Sequence, residues 1–288
     1  MTRIRYASDL HVDINKKLGI SWEEMINKLN LDGIDILVLA GDTAEFPDNL
    51  DFCDLILQKY DKIKVIEIPG NHLYYSCKDV IPPKKDRVMN MKEIDMACSL
   101  HSEITDRYFF LNKQKKVIDG ITFIGATMWT KLGERLSYIM QIVNCMNDFR
   151  LILNKNDETI SAGDIMTECS GARNFIVRNL NKTKGKCIVI THHAPYFERL
   201  SSISHAFDMD LTPTFKRLKK YPDYWIFGHT HVNDDRTFTY KNGEVKCICN
   251  QFGYFKDSEF DPQFNAWKTF DGTKEIVLWR YYHQQILQ

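Results

Sequence analysis

At 288 residues and 33.8 kDa the chain has room for one large α/β domain. Its 38 basic and 38 acidic side chains cancel, which excludes an overall field of the kind that gathers nucleic acid or an anionic membrane surface. The eight cysteines contain no CxxC pair, so zinc-knuckle spacing is excluded; they are expected as reduced thiols of a cytoplasmic protein, and no apolar run approaches the ~20 residues of a membrane span.

In chain order, residues 3–8 alternate and end as a short strand at Ser8, just before Asp9-Leu10-His11. Ser21 and Glu24 form a capping-box pattern that opens a helix over 21–30. The stretch IDILVLAGDTAE (34–45) organises the chain: five consecutive apolar residues, Ile36 to Ala40, predict a buried strand of a mostly parallel sheet. Gly41 then turns the backbone and leaves Asp42 at the strand's carboxyl end, where open α/β sheets place their ligands. A helix over 48–59, capped by Asp48, leads to a strand at 62–68 that Pro69-Gly70 breaks.

Residues 76–86 read as a surface loop, and 87–102 as a helix. Three short strands follow at 107–111, 115–119 and 121–126, and their order suggests an antiparallel second sheet. The segment 133–183 is mainly helical and is expected to lie over the strand ends as a lid. Strands at 186–191 and 224–227 end in His192-His193 and Gly228-His229-Thr230-His231. Strands at 235–240 and 244–249 meet at Asn242-Gly243, and a strand at 275–280 closes the tail. There is no internal repeat and no low-complexity linker, which predicts a single domain over 1–288.

Five strand ends thus present Asp9-x-His11, Gly41-Asp42, Gly70-Asn71-His72, His192-His193 and Gly228-His229-x-His231. Taken singly each is weak, since a Gly-Asp turn often only caps a helix. Together they supply oxygen and nitrogen ligands with no thiolate, which suits Mn, Fe or Zn. Seven such residues suffice for two sites sharing one carboxylate, and two cations about 3.5–4 Å apart can clamp a phosphoryl group.

The order DxH, GDxx(D/E), GNH, a later His and GHxH, from Ser8 to His231, resembles the calcineurin-like metallophosphoesterases. The segments GATMWT (125–130), MNDFRL (146–151) and CNQFGYFKDSEFDPQF (249–264) are similar to a small, bacterial and phage-type subgroup. The resemblance implies a four-layer α/β/β/α sandwich and two divalent metal ions, of which Mn is favoured. It assigns the first metal to Asp9, His11, Asp42 and His231, and the second to Asp42, Asn71, His192 and His229. It implies that a metal-bridging hydroxide attacks phosphorus while His72 protonates the leaving alkoxide.

This chain departs from the family pattern in places. Leu73 stands where an acid commonly follows GNH, with Asp13 or Glu45 as stand-ins. Glu45-Phe46-Pro47 replaces the Asp-Arg-Gly run of the protein phosphatases, and Phe252 replaces an arginine usual in the tail. Arg150 is the candidate replacement for the missing phosphate clamp. His193 and Tyr74, with Tyr75 beside it, are further candidates for the substrate; His205 borders the same region, and His101 has no assigned role. Without an arginine clamp the reading leans toward a phosphodiesterase acting on a small substrate, a nucleotide among the options. A phosphomonoesterase is the alternative, and an inert scaffold or a DNA nuclease ranks below it.

Overall fold

The computed structural model describes residues 2–75, 88–196, 202–255, 264 and 268–272. Strands β1 (Arg3–Ala7), β2 (Ile36–Ala40), β3 (Lys64–Ile68) and β4 (Tyr108–Phe110) run parallel in that spatial order. A second sheet contains β5 (Gln114–Ile118), β6 (Ile121–Ala126), β7 (Cys187–Thr191), β8 (Tyr224–Phe227), β9 (Arg236–Tyr240) and β10 (Gly243–Cys249), in the order β5-β6-β7-β8-β10-β9. Strand β11 (Thr269–Asp271) pairs antiparallel with β1 at the first sheet's edge.

Period-two patterning explains why these strands are apolar throughout. Ile36, Val38 and Ala40 point between the sheets, where they meet Ile188, Ile190 and Ile226 in one core. Leu37 and Leu39 point the other way, into the outer core with Phe52 and Ile56. Helices cover both outer faces, giving the expected α/β/β/α layering.

Several expectations shift. Of the three short strands, β4 joins the first sheet, parallel to β3 in the register Val65 to Tyr108. The second sheet is mostly parallel, because β6, β7, β8 and β10 align and only the hairpin edges β5 and β9 run antiparallel. The reason is the connection: the chain between β6 and β7 contains a 19-residue helix, long enough for a crossover.

Helices α1 (Val12–Lys17), α2 (Trp22–Leu29), α3 (Asp48–Lys59) and α4 (Met91–Ile104) lie in the first half. Ser21 and Glu24 do form the reciprocal capping box of α2. Asp48 is not a cap but the first residue of α3, where its carboxylate faces the helix's positive end. The start of α4 moves to Met91 because Asn90 caps it, with Glu93 closing a second box.

The expected lid over 133–183 divides. Helices α5 (Leu136–Cys145) and α6 (Asp148–Leu151) precede the long α7 (Ala162–Leu180), whose Ile165, Cys169, Ala172 and Ile176 are buried in the outer core. The last of these helices is therefore a layer of the sandwich and not a lid. The strand expected at 275–280 and the loop 76–86 lie outside the described residues. Among the described residues no helix is long and apolar enough to cross a membrane.

Candidate metal centre

The carboxyl ends of β1, β2, β3, β7 and β8 meet at one edge of the sandwich, and their loops hold one another in place. Asp9 donates its backbone N–H to the Gly41 carbonyl at 3.1 Å, His11 to Asp42 at 3.0 Å, and Gly228 to His192 at 2.9 Å. Asp9, His11, Asp42, His229 and His231 all have positive φ, between 40° and 73°. Left-handed backbone is uncommon for such residues, and five cases at one edge mark a site whose geometry is held by its surroundings.

Three glycines make room for candidate ligands of other loops, Gly228 among them, where a Cβ would lie 2.6 Å from Oδ2 of Asp9. A Cβ on Gly41 would lie 2.4 Å from Nδ1 of His192, and one on Gly70 would lie 1.9 Å from Oδ1 of Asp42. Gly70→Ala is therefore expected to displace Asp42, lowering stability by about 1–3 kcal/mol through overpacking and weakening metal uptake. A thermal midpoint and metal content equal to wild type would refute the close approach.

The two clusters are built from atoms bearing lone pairs. In one, Nε2 of His192 lies 3.1 Å from Oδ1 of Asn71, 3.1 Å from Nδ1 of His229 and 3.2 Å from Oδ2 of Asp42. The Nδ1 of His192 donates its proton to the Ala40 carbonyl at 3.0 Å, which turns Nε2 inward as the nitrogen whose proton a cation would replace. In the other, Nε2 of His11 and Nε2 of His231 are 3.2 Å apart, and His231 stands 3.4 Å from Oδ1 of Asp9. Asp9 is oriented by the His229 backbone N–H, which its two oxygens accept at 3.0 and 3.1 Å. Asp42 belongs to both clusters. Its Oδ1 accepts the His72 backbone N–H at 3.0 Å, leaving Oδ2 to face His192 and, at 3.8 Å, His11.

Charge tells the same story. Burial alone would depress the His192 imidazole, yet the neighbouring Asp42 carboxylate pushes it up to about 9. Burial would raise Asp42, but His192 and His72 hold its carboxyl well below the usual range. His11 and His229 are kept well below their ordinary value, first by burial, and so offer neutral nitrogens. Converging nitrogen and oxygen ligand atoms in a buried spot that draws positive charge, here a proton on His192, fit divalent cations of the harder, N/O-ligated kind. The seven residues Asp9, His11, Asp42, Asn71, His192, His229 and His231 could hold two of them.

His72 is half-buried beside the clusters, its ring 4.5 Å from that of His11 and 4.3 Å from that of Tyr75. Its Nδ1 is buried without a hydrogen-bond partner among the described residues. The tail places Tyr254 over the first cluster, 4.6 Å from His11 and 5.1 Å from His231.

The substrate candidates fare differently. Arg150 places its guanidinium on the side chain of Asn147 and the carbonyl of Asn144, within its own segment and not among the two clusters. Tyr74 is fully buried, bonds Asp95 at 2.7 Å and stacks on Trp129, which makes it a packing residue. His193 is buried, held near Thr127 and pushed down to about 3 by that burial, and it packs against His229 at 4.1 Å. It stands behind His229 and has no open face. His205 stacks on Tyr138 of α5, and His101 pairs with Asp54.

Sequence reasoning missed Asp148. Two residues from Arg150, it is buried and bonds both Asn71 and Tyr75. Asp13, one of the proposed stand-ins for the absent acid, lies in α1 and its charge is felt by Asp48.

Comparison with known proteins finds the calcineurin-like phosphoesterase family matching residues 2–233. An uncharacterized protein, L509 of Acanthamoeba polyphaga mimivirus, is 29% identical over 287 residues, covering 91% of this chain and 95% of that one. Looser likenesses are to the structures of TT1561 from Thermus thermophilus (TM-score 0.47, 11% identity, 88% of this chain and 89% of that one) and of a dimetal phosphatase from Danio rerio (TM-score 0.46, 12%, 88% and 87%).

Proposed function

The chain belongs to the calcineurin-like phosphoesterases, a family of metal-dependent hydrolases with a dinuclear divalent metal centre, and from that premise we propose that it is a cytoplasmic phosphodiesterase that cleaves a small, nucleotide-like ester with two Mn ions. The observation that carries this reading is the shared Asp42, whose Oδ2 faces both nitrogen–oxygen clusters. When bound, two such cations supply an activated water and a clamp for the phosphoryl oxygens. Asp9, His11, Asp42 and His231 would hold one, and Asp42, Asn71, His192 and His229 the other. The protein's own part is to fix these ligands, and to place the His72 imidazole where a leaving oxygen takes up a proton.

Two features favour a diester. A monoester brings a second negative charge, and the arginine that the sequence offered for it is engaged with Asn147 and Asn144. Beside His229, whose ring meets Phe207 at 5.2 Å, opens a cavity of about 290 Å³ lined by Tyr196, Phe207, Phe227, Ser204, Asp208 and Thr230. Aromatic walls with acidic acceptors suit a planar leaving group that carries hydrogen-bond donors, as a nucleobase does, and repel a second anion. The free, unpaired cysteines among the described residues accord with a reducing compartment.

The test is to strip the protein with chelator, reload it with Mn and compare bis-p-nitrophenyl phosphate with p-nitrophenyl phosphate. The diester is expected to turn over faster. Faster monoester cleavage would overturn the diester reading and leave the metal assignment standing.

A further inference from the structure

Asn71 is the one neutral oxygen ligand in the set, and its amide has two ends. Only Oδ1 can bind a cation; a flipped amide would aim an NH2 group at His192 and at any metal there. The surroundings decide between these states. On its far side the amide meets the Asp148 carboxylate, with Nδ2 2.9 Å from Oδ1 of Asp148 and 3.2 Å from the Tyr75 hydroxyl. The Tyr75 hydroxyl in turn donates to the same Asp148 oxygen at 2.6 Å. All three side chains are buried, Asn71 at 2%, Asp148 at 5% and Tyr75 at 7% exposure.

The polarity of this triangle follows from chemistry. A carboxylate only accepts, so the group facing it must be the amide NH2. The Tyr75 hydroxyl gives its single proton to Asp148 and is left to accept from Asn71. The reverse amide orientation would set an oxygen against a carboxylate oxygen among side chains that are all buried, where such a clash is costly. Asp148 thus dictates that Oδ1 of Asn71 faces Nε2 of His192. Tyr75 completes a link to His72, whose ring lies 4.3 Å from its own.

We propose that Asp148, at the start of α6, is a positioning residue that locks the amide of Asn71 into its metal-binding orientation, with Tyr75 as the second bolt. The proposal rests on the two-metal reading above and adds a residue from outside the strand ends that carry the ligands. It places the start of α6, inside the segment 133–183, in the machinery that sets the affinity of the second site.

The experiment is metal titration by calorimetry, with the Mn2+ electron paramagnetic resonance spectrum followed in parallel, on the full chain and three variants. Wild type is expected to take up two ions. Asp148→Leu, which keeps bulk but accepts no hydrogen bond, should bind the second ion about 10–100-fold more weakly while the first keeps its affinity. Its spectrum should then be that of an isolated ion where wild type shows a coupled pair. Asp148→Asn still offers an acceptor oxygen and should regain most of that loss. Tyr75→Phe keeps the ring against His72 but loses the hydroxyl's bonds to Asn71 and Asp148; only the first touches the amide, so the expected cost is about fivefold, and this variant also stands in if Asp148→Leu does not fold.

A residue that merely fills space would give the opposite order, with Leu tolerated. Normal second-site affinity in Asp148→Leu overturns the proposal, as does equal loss at both sites in a folded variant. Wild type that holds fewer than two ions would overturn the two-metal reading, and this role with it.

Discussion

Asp42→Ala is expected to emerge from desalting with neither metal ion retained, and to hydrolyse phosphate esters no faster than background. Among the described residues no other stands in both clusters: Oδ2 of Asp42 reaches His192 at 3.2 Å and His11 at 3.8 Å. Its loss leaves the second cluster with three neutral ligands, Asn71, His192 and His229. Divalent cations bind such a set weakly, because the charge that offset their own is gone. The first cluster keeps Asp9, but loses the anion that fixed its spacing to the second. The variant should still fold, since His192 can shed its proton once the carboxylate beside it is absent, and so leave no unpaired buried charge. Asp42→Asn, which keeps the shape and the His72 backbone contact, separates charge from packing and should fall between the two. Metal content by elemental analysis is the measurement. Two ions in Asp42→Ala at wild-type affinity would remove the bridging assignment altogether.

What made Asp42 legible was local. An apolar run that ends in Gly-Asp reports both the strand and the ligand at its tip, and the same grammar recurs at the other four strand ends. Asp148 has no such grammar. Nothing in MNDFRL relates it to Asn71 across a separation of 77 residues, and the residue of that segment with the charge to meet a phosphate is Arg150, two positions on. Tyr74 and Tyr75 are adjacent in sequence, but they sit on a tight turn that sends one ring to Trp129 and Asp95 and the other to His72. Composition cannot choose between neighbours on such a turn. Sheet membership was open for a related reason: β4, β5 and β6 are all short and apolar in part. What assigns β4 to the first sheet is its pairing with β3, a long-range contact that no window of sequence contains. Helix α7 shows the reverse case, since its capping box and apolar stripe are local, and only their destination, the face of the second sheet, was not.

His72→Ala is expected to keep both ions and lose about 10²–10⁴-fold in kcat, the usual worth of a positioned general acid. The result discriminates between two roles that the geometry allows. A ligand atom of His72 lies within 4.8 Å of those of His11 and Asp42, so the residue is near enough to be read as a third kind of metal ligand. If it were one, the variant would lose an ion. If it is the acid, metal content stays and the penalty depends on the leaving group. An alkoxide needs its proton at the moment the bond breaks, whereas p-nitrophenolate is stable without one. The variant should therefore be impaired far more on an alkyl ester than on the p-nitrophenyl ester of the same phosphate. The backbone N–H of residue 72 would still hold Oδ1 of Asp42, so the bridging carboxylate keeps its aim in the variant. Equal impairment on both leaving groups, with metals intact, would reassign His72 from proton donor to a contact that only binds the phosphoryl oxygens.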